Sequence, residues 1–279
     1  MDKRKKFRDS YGPWALIAGG SEGLGREFSL LAAEYGLNVA VVGRLEGPLK
    51  ALTAEIQNSF GVEVLPVRAD LGAPDADAVL DRALGGREVG LLIYNACTSI
   101  IGPFIEMRRE DHLSVVDVNC RGAVLLAHRF GKKMCGRGRG GILLMSSMSG
   151  LQGAPLVASY AASKAFNLTL AQSLWEEFRH FHVDVTACVA GVIRTPNYLK
   201  SIPRGGASSA PEMEAREVAE IALRNLGKKS YVIPGFANRA AVFFLQHVLG
   251  KRRAVKLVAR NMYKLYRPKK NRKGPRKLT

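Results

Sequence analysis

The chain predicts an α/β fold: one doubly wound parallel sheet of about seven strands flanked by helices, with a basic helical C-terminal extension. Two observations predict it. Short apolar runs alternate with segments of helical periodicity from Trp14 to Ile233, joined by short connections. The first run ends in a glycine cluster, Gly19 to Gly25, that turns into a helical segment. With 279 residues, 47% apolar and 24% charged, the chain suits one full core plus an appendage.

Strands are expected over 14–18, 39–42, 62–68, 91–94, 142–145, 183–188 and 231–233, most of them continuous apolar runs that suit burial. Helices are expected over 26–35, 49–60, 75–84, 110–133, 159–179 and 215–226. In the first of these, Phe28, Leu31, Ala32 and Tyr35 share one side and Gly36 suits a C-cap.

Charge divides the chain. The net charge is +18, yet residues 236–279 hold 14 Lys or Arg and no Asp or Glu, which leaves +4 for residues 1–235. The expected organisation is a basic N-terminal segment (1–10), an α/β domain (11–235) and a basic amphipathic extension (236–279). The basic N-terminus lacks the apolar stretch of a secretory signal, and no run of about 18 apolar residues suggests a spanning helix. Cys97, Cys120, Cys135 and Cys188 have neither paired nor metal-ligand spacing. Reduced thiols in a cytoplasmic protein are the expectation, with no bound metal and with peripheral membrane association left open.

Sheets of this kind bind ligands beyond the carboxyl ends of their strands. At the first such end, Gly19, Gly23 and Gly25 permit a tight turn and let a pyrophosphate approach backbone amides, with Ser21 and Leu24 in the same loop. The helix N-terminus behind it favours negative charge. At the second end, Gly43-Arg44 stands where an acidic side chain would select NAD(H) by repelling a 2′-phosphate. A guanidinium there suits that phosphate and points to NADP(H), although Glu22 is a carboxylate in the neighbouring loop.

On the 159–179 helix, Tyr160 and Lys164 are four apart and share a face. A cation one turn from a phenol lowers its pKa from about 10 toward neutrality, which suits proton transfer. Alone, such a pair is more often just two surface residues.

Together these residues resemble the short-chain dehydrogenase/reductase family over 11–235, which implies a Rossmann-type fold. The family's TGxxxGxG loop matches 18–25, with Ala18 in place of threonine. Its adenine-contacting acid falls on Asp70, and its NNAG motif on Tyr94-Asn95-Ala96-Cys97, where Cys97 replaces a glycine. Its helix asparagine falls on Asn119, and its serine, thirteen residues before the tyrosine, on Ser147. Ala190-Gly191 stands for the usual Pro-Gly, followed by Thr195.

The resemblance implies that Ser147 holds the substrate oxygen, that Tyr160 exchanges a proton with it, and that Lys164 tunes Tyr160 and binds the nicotinamide ribose. It also implies that Asn119 bends its helix and anchors a water relay, and that Ile193 and Thr195 hold the carboxamide. Homodimers or homotetramers are the implied assembly.

The substrate is less legible. Residues 196–211 occupy the family's lid position and are rich in Gly, Ser and Pro. Residues 100–105 and 151–157 would add apolar walls, which suits a lipid, acyl-chain or steroid-like ketone. A 3-oxoacyl-carrier-protein reductase and a non-catalytic dinucleotide-binding sensor are the competing functions.

In the extension, Ala254, Val255, Leu257, Val258, Met262 and Leu265 form a helical stripe among basic residues. An anionic membrane surface, packing on the body and an acidic protein partner all remain open. No motif supports nucleic acid. Residues 269–277 are polar, like-charged and expected to be disordered.

Overall fold

The structure is a computed structural model that describes residues 3–203 and 211–266. The element order is α1 (Lys3–Tyr11), β1 (Trp14–Ala18), α2 (Gly23–Glu34), β2 (Asn38–Gly43), α3 (Glu46–Phe60), β3 (Val64–Arg68), α4 (Ala76–Leu84) and β4 (Val89–Tyr94). There follow α5 (Arg109–Val116), α6 (Gly122–Arg137), β5 (Gly140–Ser147), α7 (Ala158–Arg179), β6 (Val183–Ala190), β7 (Val192–Arg194) and α8 (Pro196–Ser201). The described chain ends with β8 (Glu212–Glu214), α9 (Ala215–Arg224), β9 (Tyr231–Val232), α10 (Phe236–Phe243) and α11 (Gly250–Tyr266).

Seven strands form one parallel sheet in the order β3-β2-β1-β4-β5-β6-β9. Alternate residues of each strand point to opposite faces, so β1 sends Ala15 and Ile17 to one core and Trp14, Leu16 and Ala18 to the other. The first core is roofed by α2, α3 and α9, the second by α4, α6 and α7. Both faces are therefore dry, which explains why the strands read as continuous apolar runs. Each fully buried Leu or Ile, such as Leu16 and Ile17, contributes about 1.5–3 kcal/mol. The strand order reverses between β1 and β4, and the crevice opens at their carboxyl ends.

Four local expectations change. The first helix begins at Gly23 rather than Arg26, because the glycine turn itself supplies the helix N-terminus. The helix expected over 110–133 is interrupted at Asp117–Arg121 by a π-turn. The basic N-terminal segment is a helix whose apolar residues join the core: Phe7 stacks on Tyr35, and the Tyr11 hydroxyl donates to Asp184 Oδ2 at 2.6 Å. In the expected lid, α8 and β8 are ordered elements, β8 pairing in parallel with β7, while 204–210 lie outside the described residues. The run 269–277 also lies outside them.

The extension begins as a docked element. Asn238 on α10 is buried, and its Nδ2 donates to Pro234 O at 2.9 Å and to Met213 Sδ at 3.5 Å. Among the described residues no helix is long and apolar enough to cross a membrane, and no cluster of metal-ligating side chains occurs. The four cysteines are free thiols.

Candidate active site

The glycine loop forms one wall of a cleft at the β1–β4 switch point. Gly19 has φ +73° and passes so close to the β4 loop that a Cβ there would lie 2.6 Å from Ala96 Cα. Asn95 Nδ2 donates to Gly19 O at 2.8 Å and ties the two segments together. A Cβ on Gly23 would meet Thr195 at 3.2 Å, so the segment between β7 and α8 closes over the same loop. No side chain caps the start of α2, whose first amides remain available to an anion.

The cavity beside this loop is lined by Gly19, Ser21, Arg44, Asp70, Asn95 and Ala96, as the sequence predicts. Asp70 Oδ1 accepts from Gly72 N at 2.9 Å. Glu22, Leu45, Cys97 and Asn197 also line the cavity. Leu45 and Asn197 were not expected: a neutral residue beyond a strand end carries no sequence signal. Arg44 is exposed and has no ion pair or hydrogen bond among the described residues. Its guanidinium can therefore receive a phosphate at the cavity rim. Leu24 is buried in the core behind the loop, and Ile193 packs against the same core. Thr195 Oγ1 accepts from Tyr198 N at 3.2 Å and caps α8.

The four expected catalytic residues converge at the end of β5. Ser147 is the last residue of that strand, and its Oγ accepts from Ser149 N at 3.2 Å and Ser149 Oγ at 3.0 Å. The Tyr160 hydroxyl lies beside the Ser147 side chain, which acts to lower its pKa. Lys164 is buried one turn along α7, and its Nζ donates to Met145 O at 3.1 Å. That carbonyl is its one acceptor among the described residues, so two ammonium donors remain for a polyhydroxylated ligand. Ser146 Oγ donates to Lys164 O at 2.7 Å, locking α7 onto β5.

Asn119 explains the π-turn. It is fully buried; its Oδ1 accepts from Thr98 N at 2.8 Å, and its Nδ2 donates to Thr98 O at 2.9 Å and Ser163 Oγ at 2.8 Å. One side chain thus joins the α5–α6 segment, the loop after β4 and α7, and the backbone takes an extra residue to aim it.

One electrostatic expectation is corrected. The Tyr160 pKa is raised, chiefly by burial, and only the neighbouring Ser147 side chain opposes this. Lys164 Nζ is 5.5 Å from the ring centroid and engaged by Met145 O. The phenol is accordingly held protonated.

The surroundings of Tyr160 are apolar. Ile101, Ala154, Val157 and Ala161 cluster with it, together with Val258 and Met262 of α11. Phe104 and Ile105, expected as part of a wall, are instead 57% and 69% exposed. Leu257 leaves the expected apolar stripe and faces outward at 37% exposure.

Comparison with known proteins places these features. The family model for short chain dehydrogenases matches residues 13–203. A 7beta-hydroxysteroid dehydrogenase of Mediterraneibacter gnavus is 32% identical over 239 residues, 85% of this chain and 91% of that protein. A solved 7beta-hydroxysteroid dehydrogenase superposes with TM-score 0.85 at 30% identity, covering 90% of this chain and 98% of the other. A short-chain dehydrogenase from Sphingobium yanoikuyae in complex with NADPH superposes with TM-score 0.72 at 27% identity, covering 80% and 87%. With the glycine loop, the switch-point cleft and the serine–tyrosine–lysine cluster in place, this chain belongs to the short chain dehydrogenase family.

Proposed function

We propose that the protein is an NADP(H)-dependent oxidoreductase that interconverts a ketone and a secondary alcohol on a hydrophobic, steroid-like substrate. The observation that carries this is the Tyr160 hydroxyl beside Ser147 and a buried Lys164, within an apolar cluster. The hydroxysteroid relatives and the NADPH complex support the same reading.

The cavity fits the cofactor: a glycine cradle for a pyrophosphate, uncapped amides at α2, an unpaired Arg44 for a 2′-phosphate and two ammonium donors on Lys164 for ribose hydroxyls. When bound, the nicotinamide supplies or accepts the hydride at the carbon bearing oxygen. Ser147 Oγ donates to the substrate oxygen and orients the carbonyl. Tyr160, protonated at rest, transfers its proton to that oxygen during reduction and receives it back in oxidation. Lys164 steadies the phenolate left behind, and Asn119 fixes the loop and helix that frame the cavity. Asn95, Ala96 and Asp70 shape the adenosine and ribose walls, with Ile193 and Thr195 at the carboxamide end.

Assembly as a homo-oligomer is part of this reading. Leu113, Val116, Val124 and Phe166 leave an exposed apolar face along α5, α6 and α7. The basic extension meets the anionic surface of the membrane that holds the substrate.

The test is NADPH oxidation with an oxo-steroid panel, long-chain 3-oxoacyl thioesters and small polar ketones. Turnover of at least one oxo-steroid, with polar ketones inert, is expected. Preference for polar ketones overturns the substrate class, and activity on acyl thioesters alone moves it to acyl chains.

A further inference from the structure

α11 has two faces with different chemistry. Its inner face closes on the active site: Val258 and Met262 share an apolar cluster with Tyr160. A Cβ on Gly153, in the loop leading to α7, would sit 3.6 Å from Val255 Cγ2. A bulky substrate reaching Tyr160 therefore meets this helix.

The outer face carries Arg252, Arg253, Lys256, Arg260 and Lys264, all exposed, and none forms an ion pair among the described residues. Exposed Leu257 and Tyr263 lie among them. Just upstream, Phe243, Phe244 and Val248 are 61%, 47% and 58% exposed. Aromatic side chains that wedge among headgroups, beside unpaired cations and without any carboxylate from 236 onward, match an anionic bilayer. Between these patches the backbone has two irregularities: a π-turn at Phe244–Val248 and Gly250 at φ +67° with open space where a Cβ would be. Such a joint can absorb a rotation of α11.

We propose that α11 is a lid on the Tyr160 site, which opens when its basic outer face and the α10–α11 aromatics dock on an anionic lipid surface. This rests on the proposed oxidoreductase reading for the lid's purpose, but not for its motion. Docking favours the open state because the outward cations and Leu257 of α11 are drawn toward the bilayer and away from Gly153. A membrane-partitioned ketone is thereby admitted where it is most concentrated, and an empty site stays covered in solution.

The test uses the full chain carrying Gly153→Cys and Val255→Cys, chosen because a Cβ at 153 would lie 3.6 Å from Val255 Cγ2, the position a cysteine sulfur would take. Probes are vesicles of phosphatidylcholine alone and of phosphatidylcholine with phosphatidylglycerol. Salt-sensitive co-sedimentation with the anionic vesicles is expected, and they should slow disulfide formation about tenfold by lifting Val255 from Gly153. The oxidised lock should bind NADPH yet lose most turnover of a lipophilic ketone, recovering on reduction. Arg253→Glu with Lys256→Glu and Arg260→Glu should abolish vesicle binding while keeping basal turnover.

Binding only an acidic protein or a second copy, or equal binding to neutral vesicles, overturns the anionic docking. Unchanged disulfide formation on vesicles, or full turnover in the locked form, overturns the lid. Absence of any ketone turnover in wild type, with disulfide formation slowed by anionic vesicles, overturns the oxidoreductase reading and leaves the lid standing.

Discussion

Replacing Asn119 by alanine removes three hydrogen bonds at once, two part-buried ones to Thr98 and a buried one to Ser163 Oγ. Ser163 keeps its own donation to Tyr160 O, so the loss falls on the Thr98 backbone N–H and C=O. Each buried group left unpaired costs about 1–3 kcal/mol; Thr98 is only half-buried, which puts both groups together at about 3 kcal/mol rather than the full sum. For a domain of this size about 2–4 °C of Tm is lost per kcal/mol, so the melting temperature should fall about 6–12 °C. Thr98 follows Asn95, Ala96 and Cys97 along the cavity wall, so NADPH affinity should fall as well. Thermal unfolding followed by circular dichroism, with NADPH titration by fluorescence, reads both. A Tm change under about 2 °C with unchanged NADPH affinity would refute the assignment of Asn119 as the anchor of this loop.

Arg44→Asp should weaken NADPH about 10–100-fold, the loss of a charged hydrogen bond, and narrow or invert the preference over NADH; unchanged KM ratios would remove Arg44 from the phosphate site. Tyr11 bears on stability at high pH. Burial and the Asp184 hydrogen bond raise its pKa above the unfolded value, so the unfolded chain loses this proton first. The contribution is therefore complete below about pH 10 and is lost above it, at about 1.4 kcal/mol per pH unit. Tyr11→Phe should flatten the fall of Tm between about pH 10 and 11.5 relative to wild type, and parallel curves would contradict this.

The sheet was legible because both its faces are covered: continuous runs such as Leu91 to Ile93 have no reading but a buried strand in an alternating chain. The cofactor loop was legible because only glycine tolerates the contact between Gly19 and Ala96. Spacing paired Tyr160 with Lys164, the family resemblance pointed to Asn119 and Ser147, and the structure brings the four near one another. What escaped depends on distant partners. The π-turn exists because Asn119 must reach Thr98, a contact without local pattern. The helix that opens the chain had no sequence signal beyond its charge, because Tyr11 finds Asp184 173 positions away. Leu257 fitted an apolar stripe in sequence, yet the arc facing the body is narrower than that stripe and leaves it among the cations. The Tyr160 pKa was misjudged since pair spacing conveys a neighbouring cation but not burial, and here burial dominates.

The central claim is that Tyr160 delivers the proton. Its most direct test is single-turnover reduction of an oxo-steroid by wild type and Tyr160→Phe, with NADPH affinity measured in parallel. Loss of about 10³-fold or more in rate, with NADPH affinity within about threefold of wild type, is the predicted result. Turnover by the phenylalanine variant at a rate near wild type would contradict the account.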